Sequence, residues 1–332
     1  MNLITPSVEL VLQDSGLTGI YKQIELVGRS CWMSQNAIKE DSAKKFVDAL
    51  LKNTHTSCLE HGTVYLIVPY TITKREFPDN YVPTCIGNYE KNKYSKVKTI
   101  WTSDDIAYDY VTTNFRVLIE NDWLQDLQYI SEPTQTHYKR YTFHFTCQRA
   151  ISAEFNRHRA NSPMESSSRY CNFSKDKFGN EISVCPSDWV EEAWEFETNN
   201  ISSDPLEYSN KNLEEYCNLI SQSSTMNKVD WWWFANLACE RSYMELIKLG
   251  CKPEEARDIL PLDLKTELYH TAFVEDWEHF CKLRAWDSKG NKPHLEAKKL
   301  ASQVWYQLVK LGEVDDDIRI SAYKALSENQ SS

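Results

Sequence analysis

The sequence lacks several features, and each absence narrows the possible classes of protein. No run approaches the ~18 uncharged apolar residues of a membrane-spanning helix, so we expect no transmembrane segment. Residues 1–7 do not show a basic region followed by an apolar stretch, the pattern of a secretory signal. The ten Cys lack the close paired spacing of a zinc or redox site. These absences predict a cytoplasmic protein without a metal site, whose thiols are mostly buried and reduced.

Positive charge is also scarce. The chain has 37 Lys and Arg against 48 Asp and Glu, which gives a formal net charge of -11. An overall attraction to nucleic acid or to an anionic membrane is therefore unfavourable, and any anionic ligand must be bound by a local cluster of cations. With 41% hydrophobic residues and eleven Trp, the 332-residue chain can bury a substantial core.

Helical and strand patterns both occur along the chain. Apolar residues at helical spacing predict a helix over 38–52, and β-branched and aromatic residues predict strands over 62–69 and 141–147. The C-terminal half is helical by pattern, with predicted helices at 228–249, 253–260, 277–284 and 293–311. This mixture predicts an α+β fold with a central mixed or antiparallel sheet flanked by helices. We interpret residues 1–332 as one domain with polar, irregular insertions at 73–137 and 175–225.

The most unusual segment is 157–170, which reads RHRANSPMESSSRY and concentrates cations and hydroxyls within an acidic protein. Arginine presents a planar fork suited to phosphate oxygens, and Ser hydroxyls with loop N–H groups can complete an anion-binding concavity. A phosphorylated ligand would fit this segment. For the Arg-His-Arg triplet alone, a solvated basic turn that pairs with surface Asp and Glu is the alternative.

The wider pattern resembles a known family. Arg-His-Arg at 157–159, followed by seven residues and Ser167, resembles the signature of flavin-dependent thymidylate synthases, and Glu165 and Arg169 also match it. Three further blocks are similar to the family in the same order, namely residues 55–61 (HTSCLEH), 253–261 and 277–296. Together the similar regions cover about half of the chain, and both proposed insertions fall outside them.

The resemblance implies a reaction as well as a fold. Enzymes of this family are expected to convert dUMP to dTMP with FAD, NADPH and 5,10-methylenetetrahydrofolate, in homotetramers whose active sites are shared between subunits. They use no covalent Cys, and the Pro-Cys-His site of the flavin-free synthase is absent here: Cys185 precedes Pro186, and Cys85 follows Thr84. A related C5 modification such as hydroxymethylation, or a non-catalytic nucleotide-binding protein, remains an alternative.

The resemblance also assigns site residues. Arg284 is expected to polarise the uracil ring, with Ser167 as a second catalytic residue. The dUMP site is expected to contain Glu154, Arg157, Glu165, Ser166, Ser167, Ser168, Arg169, Arg257 and Arg284. The FAD site is expected to contain Ser57, Arg157, His158, Arg159, Glu165 and His279. His55 and Glu60 are expected to orient the FAD wall or to cap backbone groups.

Three positions depart from the family pattern. Met164 stands where Asn or Gln is usual, and Phe273 and Glu275 replace residues that are often Asn and Arg beside FAD. We therefore expect weakened hydrogen bonding at the adenosine end of FAD, and Glu275 would repel a phosphate if it pointed inward. The Trp run at 231–233 is interpreted as core and interface packing, because consecutive helical positions point in different directions.

Overall fold

The computed structural model describes residues 1–71, 84–102, 106–193, 211–221, 226–287, 290 and 292–315. The helices are α1 (Gly16–Cys31), α2 (Ser42–Lys52), α3 (Thr84–Lys91), α4 (Phe115–Glu120), α5 (Arg149–Phe155), α6 (Leu213–Ile220), α7 (Lys228–Lys248), α8 (Pro253–Ala256), α9 (Val274–Arg284) and α10 (Leu295–Lys310). The strands are β1 (Asn2–Leu3), β2 (Ser7–Val11), β3 (Thr63–Thr71), β4 (Lys96–Trp101), β5 (Ile106–Asn114), β6 (Arg140–Gln148), β7 (Ser162–Glu165), β8 (Ser183–Val184) and β9 (Lys265–Phe273). Among the described helices, none is long and apolar enough to cross a membrane.

A four-stranded antiparallel sheet forms the centre, with the strand order β2-β6-β9-β7. Alternate residues of β6 point to opposite faces, and Phe143, Phe145 and Cys147 are all fully buried on one of them. That face packs against α9 and α10 in a core that includes Trp277 and Phe280. The prediction of an α+β fold with an antiparallel sheet is confirmed, and β6 and β9 set the relative positions of the helices that follow them.

A second antiparallel sheet has the order β3-β5-β4 and packs with α1, α2 and α4. Two of its strands lie in 73–137, so the prediction of an irregular excursion there was wrong for the described part, while 72–83 and 103–105 lie outside the described residues. The apolar pattern of β5 is interrupted by Asp109, which is fully buried and accepts a hydrogen bond from the Thr99 hydroxyl. Because a carboxylate lies on the buried face, the alternation of apolar and polar residues does not predict this strand.

A third core joins β1 and β8, a parallel pair, with α6, α7 and α8. Trp232 and Trp233 are 7% and 4% exposed in this core, as predicted, whereas Trp231 is 43% exposed. The predicted insertion at 175–225 contributes β8 and α6 to the core, while 194–210 and 222–225 lie outside the described residues.

Candidate active site

The site forms where β6 passes into α5 and where α9 ends. Glu154 lies on α5, and Arg284 is the last residue of α9. The Arg284 guanidinium pairs with the Glu154 carboxylate through Nη1 and donates from Nη2 to the Glu154 carbonyl oxygen at 2.9 Å. Its Nε donates to Nε2 of His158 at 3.0 Å. The structure therefore brings together three predicted site residues, which we call the Arg284 group.

His158 is a neutral member of this group. Burial, followed by the nearby Arg284 and His279, lowers its pKa to about 4. Because Nε2 accepts the hydrogen bond from Arg284, the imidazole proton must lie on Nδ1. His158 thus fixes the guanidinium of Arg284 instead of offering a charge of its own to a ligand.

Four predicted ligand-binding arginines, Arg157, Arg159, Arg169 and Arg257, are exposed. In the described part of the chain, no Asp or Glu forms an ion pair with Arg157, Arg159 or Arg257. By contrast, Arg149 pairs with Glu165 at 3.1 Å. In a protein with an excess of carboxylates, cations without an internal partner are the groups best able to bind an anionic ligand.

Glu165 is held by its neighbours. Its side chain is 21% exposed, and its two carboxylate oxygens accept four hydrogen bonds. The donors are Arg149 at 3.1 Å, Ser152 at 2.7 Å, Thr266 at 2.9 Å and Asn156 at 3.0 Å. In this conformation Glu165 fastens α5 to β7 and β9, and its predicted contacts with dUMP and FAD stay predictions.

The serine loop that follows β7 divides into a buried and an accessible part. Ser166 is 5% exposed, and its hydroxyl bonds to the Thr266 hydroxyl at 3.0 Å, within the central sheet. The Ser167 amide donates to the Cys31 carbonyl oxygen at 2.9 Å, which holds the loop against the end of α1. Ser168 is half-buried, and Arg169 is exposed. The accessible side chains of the predicted phosphate cradle therefore begin at Ser167.

Arg169 links the loop to a second segment. Its Nε donates to Glu254 at 3.0 Å, and Glu254 lies on α8. Arg257 begins the 3-10 turn that continues α8, three residues beyond Glu254. Residues three apart on a helical turn lie on the same side, so Arg257 is placed near the serine loop.

The remaining predicted residues lie on α9 and in the segment 55–61. His279 is exposed on α9, with its ring centroid 6.3 Å from that of His158. Ser57 is exposed in the 3-10 segment Thr56–His61. Among the described residues, no hydrogen bond joins it to the Arg284 group. His55 stacks on Trp32 with ring centroids 6.3 Å apart, and Glu60 forms an ion pair with Arg116. His279 is thus next to the Arg284 group, whereas among the described residues no hydrogen bond or ion pair joins His55, Ser57 or Glu60 to that group.

The departures from the family pattern have distinct environments. Met164 is 8% exposed and packs in the second core beside Tyr269, so its side chain contributes to packing. Phe273 is 7% exposed, with the Lys96 ammonium 4.7 Å from its ring centroid. Lys96 also forms an ion pair with Glu275. A cation from β4 therefore balances the carboxylate that was expected to repel a phosphate.

The sequence reading missed two of these residues. Lys96 lies in the proposed insertion, and no local spacing links it to Glu275, 179 positions away. Arg149 follows the predicted strand directly and could have been noticed as a cation at the start of a helix, close to the basic segment. Lys96 is a long-range partner of Glu275, whereas Arg149 is only 16 positions from Glu165.

Comparison with known proteins agrees with the sequence resemblance. The sequence model of the Thy1 family, described as thymidylate synthase complementing protein, matches residues 134–311, more than half of the 332 residues. Similar solved structures include those of a UMP/dUMP methylase PolB from Streptomyces cacaoi bound with 5-Br UMP or with 5-Br dUMP. The first is 15% identical and covers 94% of this chain and 92% of that chain; the second is 14% identical and covers 94% and 93%; each has a TM-score of 0.38. No curated protein matches. The chain belongs to the thymidylate synthase complementing protein family.

Proposed function

We propose that this protein is a flavin-dependent thymidylate synthase that methylates dUMP at C5 to give dTMP. In this proposal, methylenetetrahydrofolate donates the carbon and NADPH provides the reducing equivalents through FAD. The observation that carries it is the Arg284 group, a guanidinium fixed by Glu154 and by a neutral His158 in a member of the thymidylate synthase complementing protein family.

The Arg284 group can activate a pyrimidine without a covalent bond to the enzyme. A guanidinium has five N–H donors, of which Glu154 and His158 occupy three in this structure. The remaining N–H on Nη1 and on Nη2 can donate to the ring carbonyl oxygen beside N3 of uracil. Charge drawn toward that oxygen stabilises the enolate-like state in which C5 attacks the one-carbon unit. Fixing the donors in advance avoids their reorganisation during the reaction.

Two buried thiols are consistent with this non-covalent route. Burial raises the pKa of Cys185 to about 12 and that of Cys171 to about 11. A thiol with a raised pKa is a poor source of thiolate at neutral pH. The Cys85 side chain lies outside the described residues.

The residues present fit a flavin dinucleotide. Arg157 and Arg159 are exposed and free of carboxylate partners within the described ranges, so they can bind phosphate oxygens. Glu275 is balanced by Lys96, which reduces its repulsion of an anion. In the proposal, Ser57 and His279 complete the wall that would hold FAD, whose reduced form supplies hydride chemistry when bound. In the proposal, neighbouring subunits of a homotetramer complete each site.

The test is mass-spectrometric product analysis of purified protein incubated with FAD, NADPH, methylenetetrahydrofolate and dUMP under reducing, oxygen-poor conditions. We expect dTMP, which carries one added CH2 relative to dUMP. A hydroxymethylated nucleotide would replace the proposal with the related C5 modification. Unchanged dUMP in the presence of bound FAD would reject dUMP methylation.

A further inference from the structure

We propose a second ligand site, separate from the Arg284 group, that binds a small oxyanion such as a phosphate or a carboxylate group. It is a cavity of about 170 Å³ at the start of β6. Its walls are the β2–α1 connection, residues 130–133 and residues 139–142, and Thr63 and Tyr65 contribute from β3. Nothing in the proposed reaction uses these groups.

Arg140 is the main evidence for the ligand. It lines the cavity and is 7% exposed, yet no carboxylate in the described part of the chain forms an ion pair with it. Nη1 donates to the Glu60 carbonyl oxygen at 3.3 Å and to the Thr63 hydroxyl at 3.2 Å, and Nη2 donates to the same carbonyl oxygen at 3.2 Å. Burial lowers the pKa of Arg140 to about 10, although Tyr65, Glu60 and Asp276 act in the opposite direction without pairing with it. A buried guanidinium without an ion-paired carboxylate is costly.

The donors that remain on Arg140 have a defined shape. Nε has no hydrogen-bond partner among the described residues, and one N–H of Nη2 is also left over. These two N–H groups lie side by side on the guanidinium. They form the fork that binds carboxylate or phosphate oxygens through two parallel hydrogen bonds. The geometry therefore points to an oxyanion and not to a cation or an apolar ligand.

Other groups on the cavity wall agree with this ligand class. The Ser131 hydroxyl is buried and has no partner among the described residues, although it lies on the same wall. Gly16, which also lines the cavity, opens the 16-residue α1, whose first turn contains no acidic residue. Helix N-terminal amides favour a nearby anion. Lys139 adds a second cation, with its ammonium donating to the Thr134 carbonyl oxygen.

Two carboxylates also line the cavity, but each already has a partner. The Asp14 side chain is 71% exposed and pairs with Lys22 at 3.3 Å. Glu132 is exposed and accepts a hydrogen bond from the Ser15 hydroxyl. These contacts place the carboxylates at the solvent side, whereas the unpaired donors of Arg140 and Ser131 are buried.

The size of the cavity limits the ligand. At about 30 Å³ per water in the liquid, it has room for roughly five or six waters, enough for phosphate or a short dicarboxylate.

Arg140 and Gln148 stand at opposite ends of the nine-residue β6. This places them roughly 27 Å apart at the rise of an extended strand. None of the described residues that line the cavity belongs to the Arg284 group or to the serine loop.

Isothermal titration calorimetry of the full chain with inorganic phosphate and, separately, with malonate tests the proposal. Ser131→Ala and Arg140→Lys should each weaken binding at the cavity about tenfold, the effect of one hydrogen bond to a charged group. Ser221→Ala, which changes an exposed serine on another surface, is the matched control. Arg169→Ala identifies phosphate bound at the serine loop, because only that fraction should be lost.

Binding of either anion supports the site if it depends on Ser131 and Arg140 and survives Arg169→Ala. The anion that binds more tightly shows whether the ligand group is a phosphate or a carboxylate. If Arg140→Lys fails to fold, Ser131→Ala alone decides. Absence of binding by both anions at millimolar concentration, or binding unaffected by Ser131→Ala, would overturn the proposal.

Discussion

Two guanidinium groups near opposite ends of β6, half-buried Arg284 and buried Arg140, are in opposite electrostatic situations. At the end that passes into α5, Arg284 has a carboxylate, a carbonyl oxygen and an imidazole nitrogen as partners. At the other end, Arg140 donates hydrogen bonds to two neutral acceptors. Within the described residues, no carboxylate forms an ion pair with it. A guanidinium that forms an ion pair within the chain is held in place for chemistry. A buried guanidinium without an ion-paired carboxylate indicates that a bound ligand supplies the anion.

The largest effect is expected from removing the paired cation. Arg284→Ala should lower kcat by about 10² to 10³-fold, the loss that follows removal of one preorganised donor from a developing negative charge. Much of the FAD should stay bound, because other residues are proposed to hold it. Steady-state kinetics and the flavin absorbance of the purified variant measure the two quantities. Arg241→Ala, at an exposed residue of α7, is the control, and unchanged turnover in Arg284→Ala would remove Arg284 from catalysis.

A smaller effect is expected from weakening its carboxylate partner. Glu154→Gln keeps the shape of the side chain but replaces the ion pair with Arg284 by a neutral hydrogen bond. We expect kcat to fall about tenfold with the fold retained, since a hydrogen bond to a charged group contributes ~1.5 to 3 kcal/mol. If kcat is unchanged and only KM rises, Glu154 contributes to binding and does not position Arg284.

Buried imidazoles near the Arg140 end should make stability depend on pH. Burial lowers the pKa of His61 and of His270 to about 3, below the unfolded value near 6.5. The unfolded chain therefore binds more protons between these values, so this stability is present above pH 6.5 and is lost as pH falls toward 3. Each group contributes a slope of up to about 1.4 kcal/mol per pH unit. Urea unfolding between pH 4 and 7 should show it, and His61→Asn should flatten the slope.

The smallest effect is expected from the ion pair between Lys96 on β4 and Glu275 on α9. Lys96→Met removes the partner of Glu275, so FAD should bind about two- to fivefold more weakly, in line with the loss of a partly exposed ion pair. Fluorescence titration of the apoprotein with FAD measures the change. Lys98→Met, on the same strand, is the control; equal affinity for the Lys96 variant would show that Glu275 does not face the cofactor.

Sequence patterns were sufficient for the elements whose periodicity is strong. The strand predicted at 141–147 is Arg140–Gln148, and the helix predicted at 228–249 is Lys228–Lys248. The strand β5 was missed because buried Asp109 breaks its apolar pattern. Local periodicity reports which face of an element is buried, but it carries no information about a carboxylate whose partner lies on another strand.

The site shows the same limit. The motif identified Arg284, Glu154 and His158 as separate members of one site, but the contacts among them join residues 126 to 130 positions apart. Those contacts depend on the pairing of β6 with β9, which fixes where α5 and α9 begin. Lys96 and Arg140 could not be assigned in advance, because their roles depend on packing between the two sheets and on burial.

The most direct test of the central claim follows the C5 hydrogen of dUMP. Anaerobic single-turnover reactions with dUMP deuterated at C5, FAD, NADPH and methylenetetrahydrofolate are quenched and examined by mass spectrometry, for the wild-type chain and for Arg284→Ala. We predict that the wild-type chain forms dTMP from which the C5 deuterium has been lost, and that the variant returns dUMP with its deuterium retained. Equal dTMP formation by both proteins, or reduced flavin with no change in dUMP, would contradict the account.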